Sequence, residues 1–166
     1  MKRVIGVDPG STKVGYGILD VSGNNVKYVS SGSITLKPSK AYIKRLVNIH
    51  IELDKILAKF LPDDAAIEDV FFAKNPKSAL RLGEARGAAL LTLARQDLTV
   101  STYPARFIKK AITGYGNASK EQVEYMIKVL LKLKDRELEE DEADALAVAY
   151  CHILTSRPKS ILKATR

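Results

Sequence analysis

Three strand-patterned segments follow one another in the first 36 residues, joined by turns too short to hold a helix, so the chain must open as an antiparallel meander. Arg3 to Asp8 is a short apolar run, Val14 to Val21 follows a glycine-bearing turn, and Asn25 to Leu36 is rich in Val, Tyr, Ser and Thr behind the turn signal Gly23-Asn24-Asn25. From Ala41 to Phe60 the pattern changes to helical spacing through Ile43, Leu46, Val47, His50, Leu53, Ile56 and Leu57, stopped by Pro62. A short strand is predicted over Ala65 to Glu68, a loop over Asp69 to Pro76, a helix over Lys77 to Arg95 and a fifth strand over Leu98 to Tyr103. Beyond Pro104 come a short helix, a Gly114-Tyr115-Gly116-Asn117 loop, a helix over Ser119 to Leu133, an acidic connector and a last helix over Asp141 to Ser156. A meander followed by alternating helix and strand predicts an α/β fold, a five-stranded mixed sheet flanked by helices on both faces. With 166 residues, 46% of them hydrophobic, the expected organisation is one domain over 1–156 and a flexible basic tail over 157–166.

Charge and cysteine usage narrow the function. Lys and Arg number 27 against 19 Asp and Glu, a formal charge of +8, which favours a polyanionic partner such as nucleic acid. The single cysteine, Cys151, lies in an apolar helical stretch and reads as a buried small hydrophobe, which fits a cytoplasmic protein. The N-terminus enters a strand pattern at once, without a signal peptide, and no apolar run approaches the roughly 18 residues a membrane span needs, so no membrane partner is expected.

Against this basic background, four carboxylates occupy the termini of elements. Asp8 ends the first strand, Glu68 ends the fourth, and Asp141 and Asp144 stand one helical turn apart at the start of the last helix, where negative charge is favoured. Hard divalent cations take oxygen ligands, and Mg²⁺ binds through one or two carboxylates while keeping waters. Four acids can serve two ions about 3.5–4 Å apart, the arrangement that hydrolyses a phosphodiester in line. In this reading Asp8 bridges, Glu68 and Asp144 complete one shell and Asp141 the other, while Glu139, Glu140 and Glu142 are solvated. Ala143, Ala145 and Ala147 would let the helix approach the sheet. Acids gathered in one place on a basic chain suggest a nuclease.

Four strings carry a family resemblance: Val4-Ile5-Gly6-Val7-Asp8-Pro9-Gly10, Ala66-Ile67-Glu68-Asp69-Val70-Phe71-Phe72-Ala73-Lys74-Asn75, Leu82-Gly83-Glu84-Ala85-Arg86-Gly87 and Asp141-Glu142-Ala143-Asp144-Ala145-Leu146-Ala147. In order and spacing, nearly end to end, the chain resembles the RuvC family of Holliday junction resolvases. The resemblance implies an RNase H-like fold and a homodimer that cuts four-way DNA junctions by paired symmetric nicks in recombination and repair, leaving 5′-phosphate and 3′-hydroxyl ends. It also implies Mg²⁺, two ions per site with Mn²⁺ able to substitute, and a partnership with the RuvA–RuvB branch-migration complex. A related RNase H-like nuclease acting on RNA and a catalytically silent junction-binding module are the alternatives. Ser11 and Thr12 after Gly10 also resemble the phosphate-1 turn of sugar and acetate kinases, but those folds need two such domains and this chain has length for one.

Around the acids, Phe71 and Phe72 are adjacent aromatics in a loop, and both cannot easily point inward. Either one ring is exposed to stack on an unpaired base, a role the resemblance gives to Phe71, or both pack under the following helix. Lys74, Lys77 and Arg81 extend a basic rim, and Lys109, Lys110 and Lys120 form a second cluster able to bind phosphates or simply to face solvent. The resemblance places Lys109 and Lys120 close to the scissile phosphate. Gly83 and Gly87 share a helix face, suited either to packing on the chain's own sheet or, as in the family, to the dimer interface.

Overall fold

The computed structural model describes residues 1–36, 42–70 and 75–156. The elements run β1 (Lys2–Pro9), β2 (Lys13–Ser22), β3 (Asn25–Thr35), α1 (Ile43–Phe60), β4 (Asp64–Asp69), α2 (Pro76–Ala94), β5 (Thr99–Pro104), α3 (Ala105–Thr113), α4 (Lys120–Leu130) and α5 (Glu140–Ser156). They form one five-stranded sheet in the order β3-β2-β1-β4-β5. The meander is antiparallel, and β4 and β5 add to the other side of β1 in parallel. The expected α/β, RNase H-like architecture is present.

Side chains alternate across the sheet, and each face buries its own core. On one face Ile5, Val7, Ile18, Ala65 and Ile67 pack under α1 and α2. On the other, Val4, Leu19 and Ala66 pack under α3, α4 and α5. Continuing that second face along each strand places Asp8 and Glu68 on the α5 side. α5 is buried almost all round, from Ala143 through Ile153, as expected of a helix sandwiched between a sheet and other helices. Its approach depends on the sheet: a Cβ on Gly6 would collide with backbone at Ala145 and Ala149, and one on Gly17 with Leu146. Small residues are therefore needed on both surfaces, Ala on the helix and Gly on the strands.

Local signals set the boundaries. Asn75 caps α2 by accepting the Lys77 N–H at 2.9 Å, with Pro76 in the first turn, and Ser119 and Gln122 form a reciprocal capping box on α4. α1 ends at Leu61 in the left-handed region, its N–H donating to the Leu57 carbonyl. α4 stops at Leu130, short of the expected Leu133, and Lys132 turns the chain with φ 58°. The buried stripe of α1 is Ile49, Leu53 and Leu57, whereas Ile43 and Val47, which share the helical spacing, are exposed. Gly83 and Gly87 do not pack on the sheet; Ala85, Ala89 and Leu93 do, and no described residue covers the two glycines. The expected tail over 157–166 lies outside the described residues.

Candidate active site

Asp8 and Glu68 reach the same cleft because neighbouring parallel strands carry them there. The β1–β4 ladder runs from Val4↔Asp64 to Val7↔Ile67, which leaves Asp8 and Glu68 side by side just past its end. α5 crosses above them and contributes Asp144 from its first turns. Asp8, Glu68 and Asp144 line a cleft of about 230 Å³ together with Ala105, Ile108, Lys109, Lys120, Val123 and Ala147. Asp141 is not among the lining residues; its side chain is 30% exposed and lies 3.9 Å from Lys13 Nζ.

Burial and crowding leave the acids poorly suited to full ionisation. Burial, then the charges of Glu68, Asp144 and Asp141, pushes the Asp8 carboxyl up to about 8. Burial and Asp144 raise Glu68 to about 7, and burial raises Asp144 as well. Lys120 opposes all three shifts, and Lys109 opposes that of Glu68. Lys120 Nζ contacts Glu140 and lies 3.6 Å from the Asp144 carboxylate; Lys109 Nζ is held by the Ala118 carbonyl at 2.8 Å.

The donor set is oxygen only, and its surplus negative charge would be relieved by a divalent cation. Among the described residues no three His, Cys, Asp or Glu groups form a ready-made ligand cage. Mg²⁺ does not require one, since it keeps several waters and borrows substrate oxygens, so the residues present fit such an ion.

The other expected site residues divide. Lys110 is exposed on α3, and Lys77 and Arg81 are exposed on α2; none lines the cleft. The Arg81 guanidinium lies 5.3 Å from the Tyr42 ring centroid. Phe71, Phe72 and Lys74 lie outside the described residues. Glu142, expected to be solvated, is instead 8% exposed. Its carboxylate accepts the Glu139 N–H at 3.0 Å and the Ser31 hydroxyl at 3.3 Å, so it caps its own helix and ties it to β3. Glu139 is exposed, as expected, but engaged: it accepts from Ser33 at 3.1 Å and Lys13 at 2.7 Å. Burial pushes the Cys151 thiol up to about 12, which removes it as a nucleophile. Two features escaped sequence reasoning, the strand glycines beneath α5 and Arg86, whose guanidinium grips the end of β4 from α2. The Gly6 and Gly15–Gly17 spacing on strands was the available signal for the first.

Comparison with known proteins shows the family. The profile of the family described as crossover junction endodeoxyribonuclease RuvC matches residues 4–152. A curated crossover junction endodeoxyribonuclease RuvC from Geobacter sp. (strain M21) is 44% identical over 163 residues, 98% of this chain and 99% of that protein. Among solved structures, T. thermophilus RuvC in complex with Holliday junction substrate superposes with a TM-score of 0.87 at 31% identity, covering 95% of this chain and 96% of that one. The yeast mitochondrial Holliday junction resolvase shares the fold at a TM-score of 0.67 and 15% identity, over 90% of this chain and 77% of that one. With the acids of β1, β4 and α5 converging in one cleft and this likeness running nearly end to end, the chain belongs to the RuvC family of crossover junction endodeoxyribonucleases.

Proposed function

We propose that this protein resolves four-way DNA junctions as a homodimer, each protomer nicking one of two equivalent strands and leaving 5′-phosphate and 3′-hydroxyl ends. The observation that carries the reading is the cleft itself, where Asp8, Glu68 and Asp144 face two lysines. Family membership implies divalent-metal use; the finer reading is two Mg²⁺ ions, with Mn²⁺ able to substitute. Bound there, such ions would supply the charge that activates a water and steadies the leaving 3′ oxygen. Asp8, Glu68 and Asp144 would hold them, with Asp141, three residues before Asp144 on α5, as the fourth acid. Lys109, fixed by the Ala118 carbonyl, offers an ammonium to the scissile phosphate, and Lys120 offers a second. Lys110, Lys77, Arg81 and Lys74 are read as longer-range phosphate contacts, and Phe71, with Phe72 beside it, as the ring that stacks on an unpaired base.

The homodimer reading is supported by apolar residues on α1 and α2 that no described residue covers. Ile43 and Val47 are 73% and 50% exposed, Leu80 and Leu91 70% and 63%, and Gly83 and Gly87 on α2 leave room for close approach. A Leu91→Asp substitution should give a monomer in sedimentation and cut junctions without pairing the nicks. Action in the cytoplasm beside the RuvA–RuvB branch-migration complex completes the proposal; no helix of the described residues is long and apolar enough to cross a membrane.

The deciding experiment incubates the protein with synthetic four-way junctions, linear duplexes and RNA–DNA hybrids, with Mg²⁺ and with a chelator. Mg²⁺-dependent paired nicks in junctions alone support the reading. Preferential cutting of hybrids would move the protein to RNA, and junction binding without cutting would make it a binding module.

A further inference from the structure

We infer that Arg86 is a positioning residue that aims the Glu68 carboxylate, holding the catalytic end of β4 from the helix that carries the exposed Gly83 and Gly87 face. The inference rests on Glu68 being part of the active site. Arg86 Nε donates to the Glu68 carbonyl oxygen at 3.2 Å, and Nη2 pairs with the Asp69 carboxylate at 3.1 Å. The side chain is only 19% exposed. The backbone that carries it is anchored, because the neighbouring Ala85 and Ala89 are fully buried against the sheet.

The sheet itself explains why such a grip is needed. Pairing between β1 and β4 ends at Val7↔Ile67, so at Glu68 the backbone has lost one of its two neighbouring strands. On the other side Glu68 and Asp69 face Tyr103 and Pro104, and proline has no N–H to give. The strand end that must present a buried carboxylate is thus the least restrained part of β4. A guanidinium suits the task because its planar fork can serve a carbonyl and a carboxylate at once, which an ammonium cannot do in one geometry. Since α2 also presents the proposed dimer face, Arg86 gives a shift of α2 a direct polar route to the Glu68 backbone.

The test compares Arg86→Gln, Arg86→Lys and Arg86→Ala with Glu68→Gln, using single-turnover cutting of a synthetic junction with Mg²⁺, junction affinity with the metal chelated, and melting temperature. Arg86→Gln and Arg86→Lys should slow cutting by about 10- to 100-fold, the range expected when a reacting group is misplaced. Affinity and melting temperature should stay near the wild-type values. Guanidinium ion at non-denaturing concentration should restore part of the rate to Arg86→Ala and none to Glu68→Gln. Wild-type rates in Arg86→Gln beside an inactive Glu68→Gln would overturn this inference alone, whereas an active Glu68→Gln would overturn the site reading. Parallel losses of rate, affinity and melting temperature, with no rescue by guanidinium, would make Arg86 a structural residue and also overturn the inference.

Discussion

Gly15 lies directly beneath the backbone of Asp141, so close that a methyl group on Gly15 would overlap the Asp141 carbonyl oxygen. Gly15 is also the cross-strand partner of Asp8. Gly15 therefore sets the height at which the first turn of α5 rests above the strand pair carrying the first acid, as Gly17 and Gly6 do further along the helix. Gly15→Ala should lift the first turn of α5, costing about 1–3 kcal/mol of stability as an overpacked contact does. It should abolish cutting even where the protein remains folded. Urea denaturation and junction cleavage on the same preparation check both, and an active, fully stable Gly15→Ala would show that α5 is not seated by this contact.

The acids also make a prediction about pH in the metal-free protein. Burial and like charge raise Asp8 to about 8 and Glu68 to about 7, far above the values near 4 that such carboxyls have in an unfolded chain. The folded state therefore holds protons that the unfolded state has released. Their contribution to stability is complete below about pH 4 and is lost as the pH rises towards about 8. Melting temperature with a chelator present should fall across that interval, Asp8→Asn should make the fall shallower while leaving the part due to Glu68, and added Mg²⁺ should oppose it at the alkaline end. Identical profiles for Asp8→Asn and the wild type would show that Asp8 is not the group responsible.

The order of elements, the mixed sheet and the strand-end positions of Asp8 and Glu68 were legible in the sequence because each is a local pattern: a period, a turn or an element terminus. Interactions between distant segments were not. Glu142 sits among Glu139, Glu140 and Asp141 and reads as one more solvated acid, yet its partner Ser31 lies 111 residues away on β3. Periodicity found α1 but could not tell which of its apolar residues are covered: Ile49, Leu53 and Leu57 are buried, Ile43 and Val47 exposed, because the spacing records apolarity and not what packs on it. The glycines of β1 and β2 name no partner in the sequence, and only the docked α5 shows that they are contact surfaces.

Glu142 consequently has a measurable structural duty. Replacing it with Ala removes the acceptor for the Glu139 N–H and leaves the Ser31 hydroxyl without its carboxylate. The expected loss is about 0.5–2 kcal/mol, typical of a missing helix cap. Glu142→Gln, which keeps an acceptor oxygen, should lose less. Equal stability of the Ala variant and the wild type in urea would return Glu142 to the solvated role expected from its neighbours.

Lys109, Lys110 and Lys120 separate two ways in which a basic side chain can serve a nuclease. Lys109 and Lys120 line the cleft with the acids, while Lys110, one residue further along α3, is exposed and does not. Removing an ammonium that neutralises one phosphate should change the slope of log K against log salt by about 1, and that applies to any of the three that touches DNA. Only the two in the cleft are placed to neutralise charge that develops at the scissile phosphate, where a removed donor costs roughly 100-fold or more in rate. Lys109→Ala and Lys120→Ala should therefore flatten the salt dependence and also slow cutting at saturating protein. Lys110→Ala should flatten the slope and leave the saturated rate unchanged. Salt titrations of junction binding, paired with single-turnover cleavage, separate the cases. A Lys110→Ala variant slowed as much as Lys109→Ala would show that proximity to the acids does not determine which lysine acts in the chemical step.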